Sequence, residues 1–365
     1  MSTAKVINVQ HPSASTTNIV NDASGNVAVG NNLTVAGTST LTGNVAVGNN
    51  LTVAGTSTIS GNETVTGTVA MGSSFKRNRI INGNMATDQR NAGAAQTITA
   101  GAALAYSVDR WYAYCTGANV TGQQVAGATA NQYRYRFTGA ASVTAIGFAQ
   151  RIEAINSADL AGTTATLSVD LANSLLTTVT WTAYYANTTD TFGTLASPTV
   201  TSIATGTFTV TSTVTRYNAQ ISIPSAATTG LQIVLSVGAQ TSGTWTIGSV
   251  QLEVGTKATP YEMQIYSDQL AQCQRYYVDS NPGSSTAAYT NIQYSASGAG
   301  WPIGTIPLSV TMRAAPTISI RNVALANASS LAIGSVFPNY FYGSVTVGVA
   351  GSYVVSFNYT ASAEL

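Results

Sequence analysis

Charge is what this 365-residue sequence most lacks: Asp, Glu, Lys and Arg together make up 7%, against about 25% in ordinary soluble domains. Long solvated helices draw on Glu and Lys for their wet faces, so the deficit argues against a helical protein. Lys and Arg number 14 and Asp and Glu 13, a net charge of +1. No field able to recruit nucleic acid or to hold a membrane surface follows from that balance. A monomer so poor in charge is prone to associate, which suggests that much of its surface is covered by other subunits.

Histidine is almost absent. His11 is the only one, so no Ser/His/Asp set can be assembled around a second imidazole, and a lone His without partners reads as incidental. The two cysteines, Cys115 and Cys273, are too far apart for a zinc spacing or a disulfide framework; free thiols are expected. No phosphate loop, dinucleotide fingerprint or metal-ligand cluster occurs, so neither cofactor nor metal is expected. No apolar run approaches the roughly 20 residues of a membrane span, and no membrane insertion is expected. The first ten residues lack the apolar core of a signal peptide, which predicts synthesis in the cytosol without secretion. Carboxylates are scarce, and Asp109, Glu153, Asp170, Glu253 and Glu262 are isolated in sequence. No catalytic residue is assigned and no enzyme is expected, although two carboxylates of a glycan-cleaving site can meet only in the fold.

What fills the deficit is Thr, Ser, Ala, Gly and Asn, with hydrophobic residues at 44%. These types favour strands, turns and close packing, and the fold class expected is all-β. Residues 25–42 and 43–60 are two copies of one 18-residue unit, GNVAVGNNLTVAGTST followed by LT or IS, identical at 16 of 18 positions; a degenerate copy follows at 61–72. From Val27 to Met71 every Val, Leu, Ile and Met has an odd number: Val27, Val29, Leu33, Val35, Leu41, Val45, Val47, Leu51, Val53, Ile59, Val65, Val69 and Met71. Side chains alternate along a strand, so this is one apolar face, and an even repeat length keeps it on one side. A single chain has nothing to cover the stripe. Three copies sharing an axis would cover it, which predicts a trimeric β-repeat stalk over 25–74. A single-chain solenoid or a flexible linker are the alternatives. Residues 1–24, polar and with a His-Pro pair at 11–12, read as an extended arm.

Beyond the repeat the texture changes. Lys76, Arg77 and Arg79 form a small basic cluster that reads as a junction paired to the stalk rather than a nucleic-acid site. Short strands recur at 133–139, 164–172, 178–186, 207–212, 219–224 and 231–239, spaced as in a sandwich. Trp111, Trp181 and Trp245 lie in or beside them and read as core. Residues 267–278 read as a helix capped by Ser267, with Tyr266, Leu270, Cys273 and Tyr277 on one stripe. About 12 residues is too short to be stable alone, so three copies are expected to meet at an axis with Cys273 packed between them. Strand patterns return at 303–312, 317–326 and 342–361.

Four motifs carry a resemblance. RNRIINGNMATDQR at 79–92, YSVDRWYAY at 106–114, IGSVQLEVGTKATPYE at 247–262 and SDQLAQCQRYYV at 267–278 are together similar to the jelly-roll module of bacteriophage tail-fibre proteins, which opens with an "INGN" strand, passes through a "DRW" strand and closes on a "QLE" strand before a helix ending in "CQRYY". MRAAPT at 312–317 and the FNYTASAEL ending also resemble the distal domain of such fibres. The resemblance implies an elongated homotrimer: virion-attachment arm 1–24, stalk 25–74, jelly roll 75–263, helical linker 264–278 and distal β-sandwich 279–365. It implies a fibre bound to virion tail or adaptor proteins through residues 1–24, assembled in the host cytoplasm, that adsorbs to a host surface polysaccharide. A head fibre or decoration protein, and a glycan depolymerase, are the alternative readings. Tyr289, Tyr294, Trp301, Tyr340, Phe341 and Tyr342 are the candidate glycan contacts, because ring faces stack on sugar C–H groups while neighbouring Asn and Ser bind hydroxyls; core packing or trimer contact is the alternative role for each.

Overall fold

The computed structural model describes residues 8–9, 19–21, 27–29, 32–36, 38–42, 44–54, 57–58, 76–127 and 132–365. His11, Ile59, Val65, Val69, Met71 and residues 73–75 lie outside them. The chain forms two compact units, Met1–Val69 and Ala70–Leu365.

In the first unit β1 (Asn8–Val9), β2 (Ile19–Asn21) and β3 (Val27–Val29) form a small antiparallel sheet in that order, so the segment read as an arm contributes strands. None of the described residues from 32 to 58 is in a strand. No ladder among the described residues joins one repeat copy to the other, as a single-chain solenoid would need. Val29, Leu33, Val35, Leu41, Val45, Val47, Leu51 and Val53 are between 37% and 74% exposed. The apolar stripe read from the sequence is therefore uncovered within this one chain.

Among its described residues the second unit is all-β apart from one α-helix and two short 3₁₀ turns, Ala154–Asn156 and Ala158–Leu160. Twelve strands build a sandwich: β4 (Gln96–Ile98), β5 (Ala105–Tyr106), β6 (Trp111–Thr116), β7 (Val120–Ala126), β8 (Tyr133–Thr138), β9 (Ala145–Ile152), β10 (Thr164–Asn173), β11 (Thr178–Ala186), β12 (Val200–Thr209), β13 (Thr215–Ser222), β14 (Leu231–Val237) and β15 (Thr244–Val254). They form two six-stranded antiparallel sheets, β13-β10-β15-β8-β7-β4 and β12-β11-β14-β9-β6-β5. Alternate residues of both, such as Val179, Trp181 and Ala183 on β11, point into one shared core. Aromatic rings fill its centre: Trp111 stacks on Phe148 at 4.7 Å, Tyr135 on Phe148 at 5.0 Å and Phe137 on Trp245 at 5.3 Å. All three tryptophans predicted as core are core residues.

Helix α1 (Tyr266–Gln274) follows, then β16 (Tyr277–Asp279), β17 (Tyr289–Ser295), β18 (Gly298–Pro307), β19 (Thr317–Ala326), β20 (Ala328–Phe337), β21 (Tyr340–Val347) and β22 (Gly351–Ser362). β22 is the central strand of one sheet, with β19 along one edge and β16 and β17 along the other; β18-β21-β20 form a second. Phe341, Val345, Val347, Tyr353, Val355 and Phe357 fill the core they share.

Three sequence expectations are corrected here. Residues 81–84 form a turn, not a strand, because scattered partners rather than a ladder satisfy their backbone. Gln150 accepts from the Ile81 N–H and donates to the Ile81 oxygen at 2.8 Å each, and the Gly83 oxygen accepts from the Val250 N–H at 2.9 Å. The helix is capped at Ile265 without a side-chain bond, and Gln269 and Cys273 are buried against their own sandwich. Cys273 therefore fills no bundle between copies, while Tyr266 is exposed. The basic cluster pairs within the sandwich: Arg77 Nε lies 3.4 Å from Glu253, and Arg79 pairs with Asp159.

Candidate functional site

β20 and β21 are joined by the two residues Pro338 and Asn339, so Phe337 and Tyr340 face each other across the hairpin. Along β21 the odd residues Phe341, Val345 and Val347 turn into the core, and the even ones turn out. Strand alternation thus puts Tyr340 and Tyr342 on one outer face, where they meet Phe337. The ring centroids are 4.7 Å apart for Phe337–Tyr340, 5.3 Å for Tyr340–Tyr342 and 6.4 Å for Phe337–Tyr342. Phe337 and Tyr342 are 39% and 41% exposed. Ser344 and Thr346 continue the same face, Thr346 accepting from Ser330 Oγ at 2.9 Å, and Thr305 of β18 lies beside Tyr342. The result is an exposed three-ring platform beside a row of hydroxyls.

The other candidates are placed elsewhere. Phe341 is fully buried, edge-on to Tyr359 at 5.0 Å; its parity with Val345 removes it as a contact residue. Tyr289 is half-buried, donating its hydroxyl to the Ile303 oxygen at 2.8 Å with its ring on Phe357. Tyr294 is exposed on β17 beside Ile292, and Trp301 lies on β18 opposite Val345. Among the described residues no ring contact joins either to the platform. Of the six candidates the fold brings together Tyr340 and Tyr342. Phe337 was missed, and the signal for it was the two-residue connection between alternating segments, which forces hairpin neighbours.

A second surface lies on the sandwich. On the outer face of β12-β11-β14-β9-β6-β5, Tyr114 stands opposite Gly147, where a Cβ would sit 2.1 Å from the Tyr114 Cζ. The ring lies flat over the glycine backbone. Leu195, Tyr114 and Tyr184 all pack against the cluster of Tyr112, Ala149 and Val234, and the Leu195 loop is held down by Arg151 Nη2 donating to the Gly193 oxygen at 2.9 Å. Between Leu195 and residues 101–103 runs a groove of about 540 Å³ lined by Tyr114, Thr116 and Thr194. It was invisible in the sequence because Tyr114 and Gly147 meet only through strand pairing.

The four motifs converge on each other, at the seam between sandwich and distal sheets. The Trp111 indole N–H donates to the Asn82 oxygen at 3.0 Å, and Asn82 Nδ2 donates to the oxygens of Thr87 and Asp109 at 2.8 and 2.9 Å. Arg110 lies 3.5 Å over the Tyr276 ring and Arg90 3.6 Å over Tyr277. Both arginines pair with Glu364. Glu153 accepts from Tyr276 Oη at 2.6 Å and from Arg275 Nε and Arg313 Nε at 3.2 Å each. Glu253 accepts from the Thr259 N–H at 2.8 Å, and Asp170 pairs with Arg216 at 3.0 Å. Asp109 accepts from the Gln89 N–H at 2.7 Å. Burial pushes its carboxyl up to about 7, against the downward pull of Arg90 and the Gln89 N–H. Burial also pushes the Cys273 thiol well up, which disfavours the nucleophilic thiolate. Among the described residues no cluster of three or more His, Cys, Asp or Glu could hold a metal.

No family model matches the chain, and none of the curated proteins does. Solved structures resemble it distantly. The enzymatically active domain of tailspike protein 4 of bacteriophage CBA120 is 16% identical over 49% of this chain, with a TM-score of 0.32; the match spans 22% of that protein's own length. TmCBM61 in complex with β-1,4-galactotriose is 12% identical over 49% of this chain and 100% of its own, at 0.29. A family 11 carbohydrate-binding module of Clostridium thermocellum is 13% identical over 46% and 98%, at 0.28. At these scores the similarities assign neither family nor ligand.

Proposed function

We propose that this chain is a homotrimeric bacteriophage tail fibre that attaches to the virion through residues 1–24 and adsorbs to a host-cell surface glycan. The observation that carries the reading is the exposed platform of Phe337, Tyr340 and Tyr342 beside Thr305, Ser344 and Thr346. An aromatic face with hydroxyls at its border suits sugar, whose C–H face is apolar and whose rim is polar. Large exposed apolar groups in a chain so poor in charge are otherwise a liability. The uncovered odd stripe of the repeat supports three copies around one axis, and the four tail-fibre motifs support the setting. The chemistry is binding rather than cleavage, since Glu153, Glu253 and Asp170 are each taken up by cations or hydroxyls. Assembly in the host cytoplasm and residence on the tail complete the proposal.

Free full-length protein tests it by competition with phage. It should block adsorption to host cells, and Tyr342→Ala should lose the block. Failure of wild-type protein to compete would favour a head fibre or decoration role, and new reducing ends on host polysaccharide would favour a depolymerase.

A further inference from the structure

Where residues 76–81, the 3₁₀ turn Ala154–Asn156 and α1 meet, a pocket of about 280 Å³ gathers Lys76, Arg79 and Arg275, three of the chain's 14 cations. No carboxylate lines it; the remaining walls are largely carboxamides, among them Gln264 and Gln272. The acids nearby act from outside. Asp159 holds one Arg79 nitrogen, Glu153 is shared between Arg275 and Arg313, and Glu262 and Asp268 lie in the adjoining cleft. The lining itself thus carries three cations and no carboxylate, while Arg79 and Arg275 each keep one carboxylate partner outside it. Part of its hydrogen-bonding capacity is unused: Arg79 Nε and Gln264 Oε1 are buried without a partner, and an unmatched buried group of this kind costs stability unless a ligand satisfies it. Ligand pockets start at about 300 Å³, so this one is sized for a single sugar residue rather than a chain.

We propose that this pocket binds the acidic residue of a polysaccharide, with its carboxylate held by Lys76, Arg79 and Arg275 and its hydroxyls by Gln264 and Gln272. Charge-assisted bonds from several cations to one carboxylate are the strong contacts. A neutral sugar brings no counter-charge to a lining that has three cations and no carboxylate of its own, so the pocket favours an acidic residue. The inference rests on the glycan-binding reading but on a separate surface from the ring platform.

Titration of the full chain with methyl β-glucuronide, its methyl ester, methyl β-glucoside and inorganic phosphate, followed by NMR or calorimetry, tests it. The glucuronide should bind at least about tenfold more tightly than the ester or the glucoside, and salt should weaken it. Lys76→Glu, at an exposed position, should lower its affinity by about tenfold or more, and Gln264→Leu should lower it without changing the discrimination against the ester. Equal binding of acid and ester, no binding of the acid, or indifference to Lys76→Glu would overturn the proposal. Phosphate binding more tightly than the glucuronide would overturn the assignment to a sugar. Glucuronide binding that survives Tyr342→Ala while adsorption is lost keeps this pocket apart from the ring platform; adsorption without glucuronide binding removes this pocket alone.

Discussion

Gln269 Nε2 on helix α1 donates to Asn82 Oδ1 at 2.6 Å, across 187 residues of chain. Asn82 Oδ1 also accepts from the Thr87 N–H at 3.0 Å, and its backbone oxygen takes the Trp111 indole. One asparagine in a tight turn therefore ties the start of the sandwich, its central tryptophan and the helix that leads to the distal sheets. Next to it, a Cβ on Gly83 would lie 2.1 Å from the Val250 oxygen. Gly83→Ala should force the turn off β15 and destabilise the second unit by about 1–3 kcal/mol or more, read from urea unfolding. An unchanged midpoint would contradict this packing.

Glu153 joins the sandwich to α1 and to Arg313 of the distal part, with its side chain 5% exposed. Glu153→Gln leaves two partly exposed guanidinium groups without their counter-charge, which should cost about 1–3 kcal/mol. Hydrogen exchange should rise first around Tyr276 and Arg313. Uniform exchange across both domains would show that the seam is not held there.

Asp109 ionises at about 7 in the folded chain, against 3.8 for a free side chain. Between these values the folded state keeps a proton that the unfolded state has given up. Stability from this group therefore falls as pH rises from about 4 to about 7 and is flat outside that window. Asp109→Asn, which keeps an oxygen to accept from Gln89, should abolish that fall. Wild-type and variant stability curves that run parallel from pH 4 to 7 would contradict the assignment.

Parity makes the sharpest comparison on the distal domain. Phe341→Ala opens the core and should cost about 3–5 kcal/mol. Tyr342→Ala, one residue on and facing out, should change stability by no more than about 0.5 kcal/mol while reducing glycan binding. Equal thermal shifts in the two variants would refute the placement of these rings.

The proposed three-chain stalk makes a parity prediction of its own. Val35→Asp and Val53→Asp should dissociate the assembled chain by placing charge where the three copies would meet, and Thr34→Asp and Thr52→Asp should leave its mass unchanged in light scattering. Dissociation by both sets, or by neither, would remove the three-chain stalk.

Strand alternation made much of the fold legible. Thr178–Ala186 and Thr317–Ala326 coincide with the segments read from the sequence. Tryptophans in strand patterns proved to be core for the same reason. What escaped was set by contacts distant in sequence. The turn at 81–84 keeps its shape because Gln150 of β9 bonds Ile81 and the Val250 N–H of β15 bonds Gly83, and no local pattern announces that. The stripe read on the helix is only partly right: Cys273 is buried, but Tyr266 is exposed, Gln269 shares the buried face and Tyr277 lies in β16, and the cover comes from the chain's own sandwich. Phe341 was legible and misread, since it shares parity with Val345 and Val347. Tyr114 over Gly147 needed strand register, and the Lys76–Arg79–Arg275 pocket needed the docking of α1 on the sandwich.

Binding of the full-length chain to a glycan array, side by side with the Tyr340→Ala and Tyr342→Ala double variant, bears most directly on adsorption through the ring platform. The account predicts a discrete set of bound glycans for the wild type and loss of that set in a variant that still folds. Silence of the wild type, or an unchanged binding profile in the variant, would contradict it.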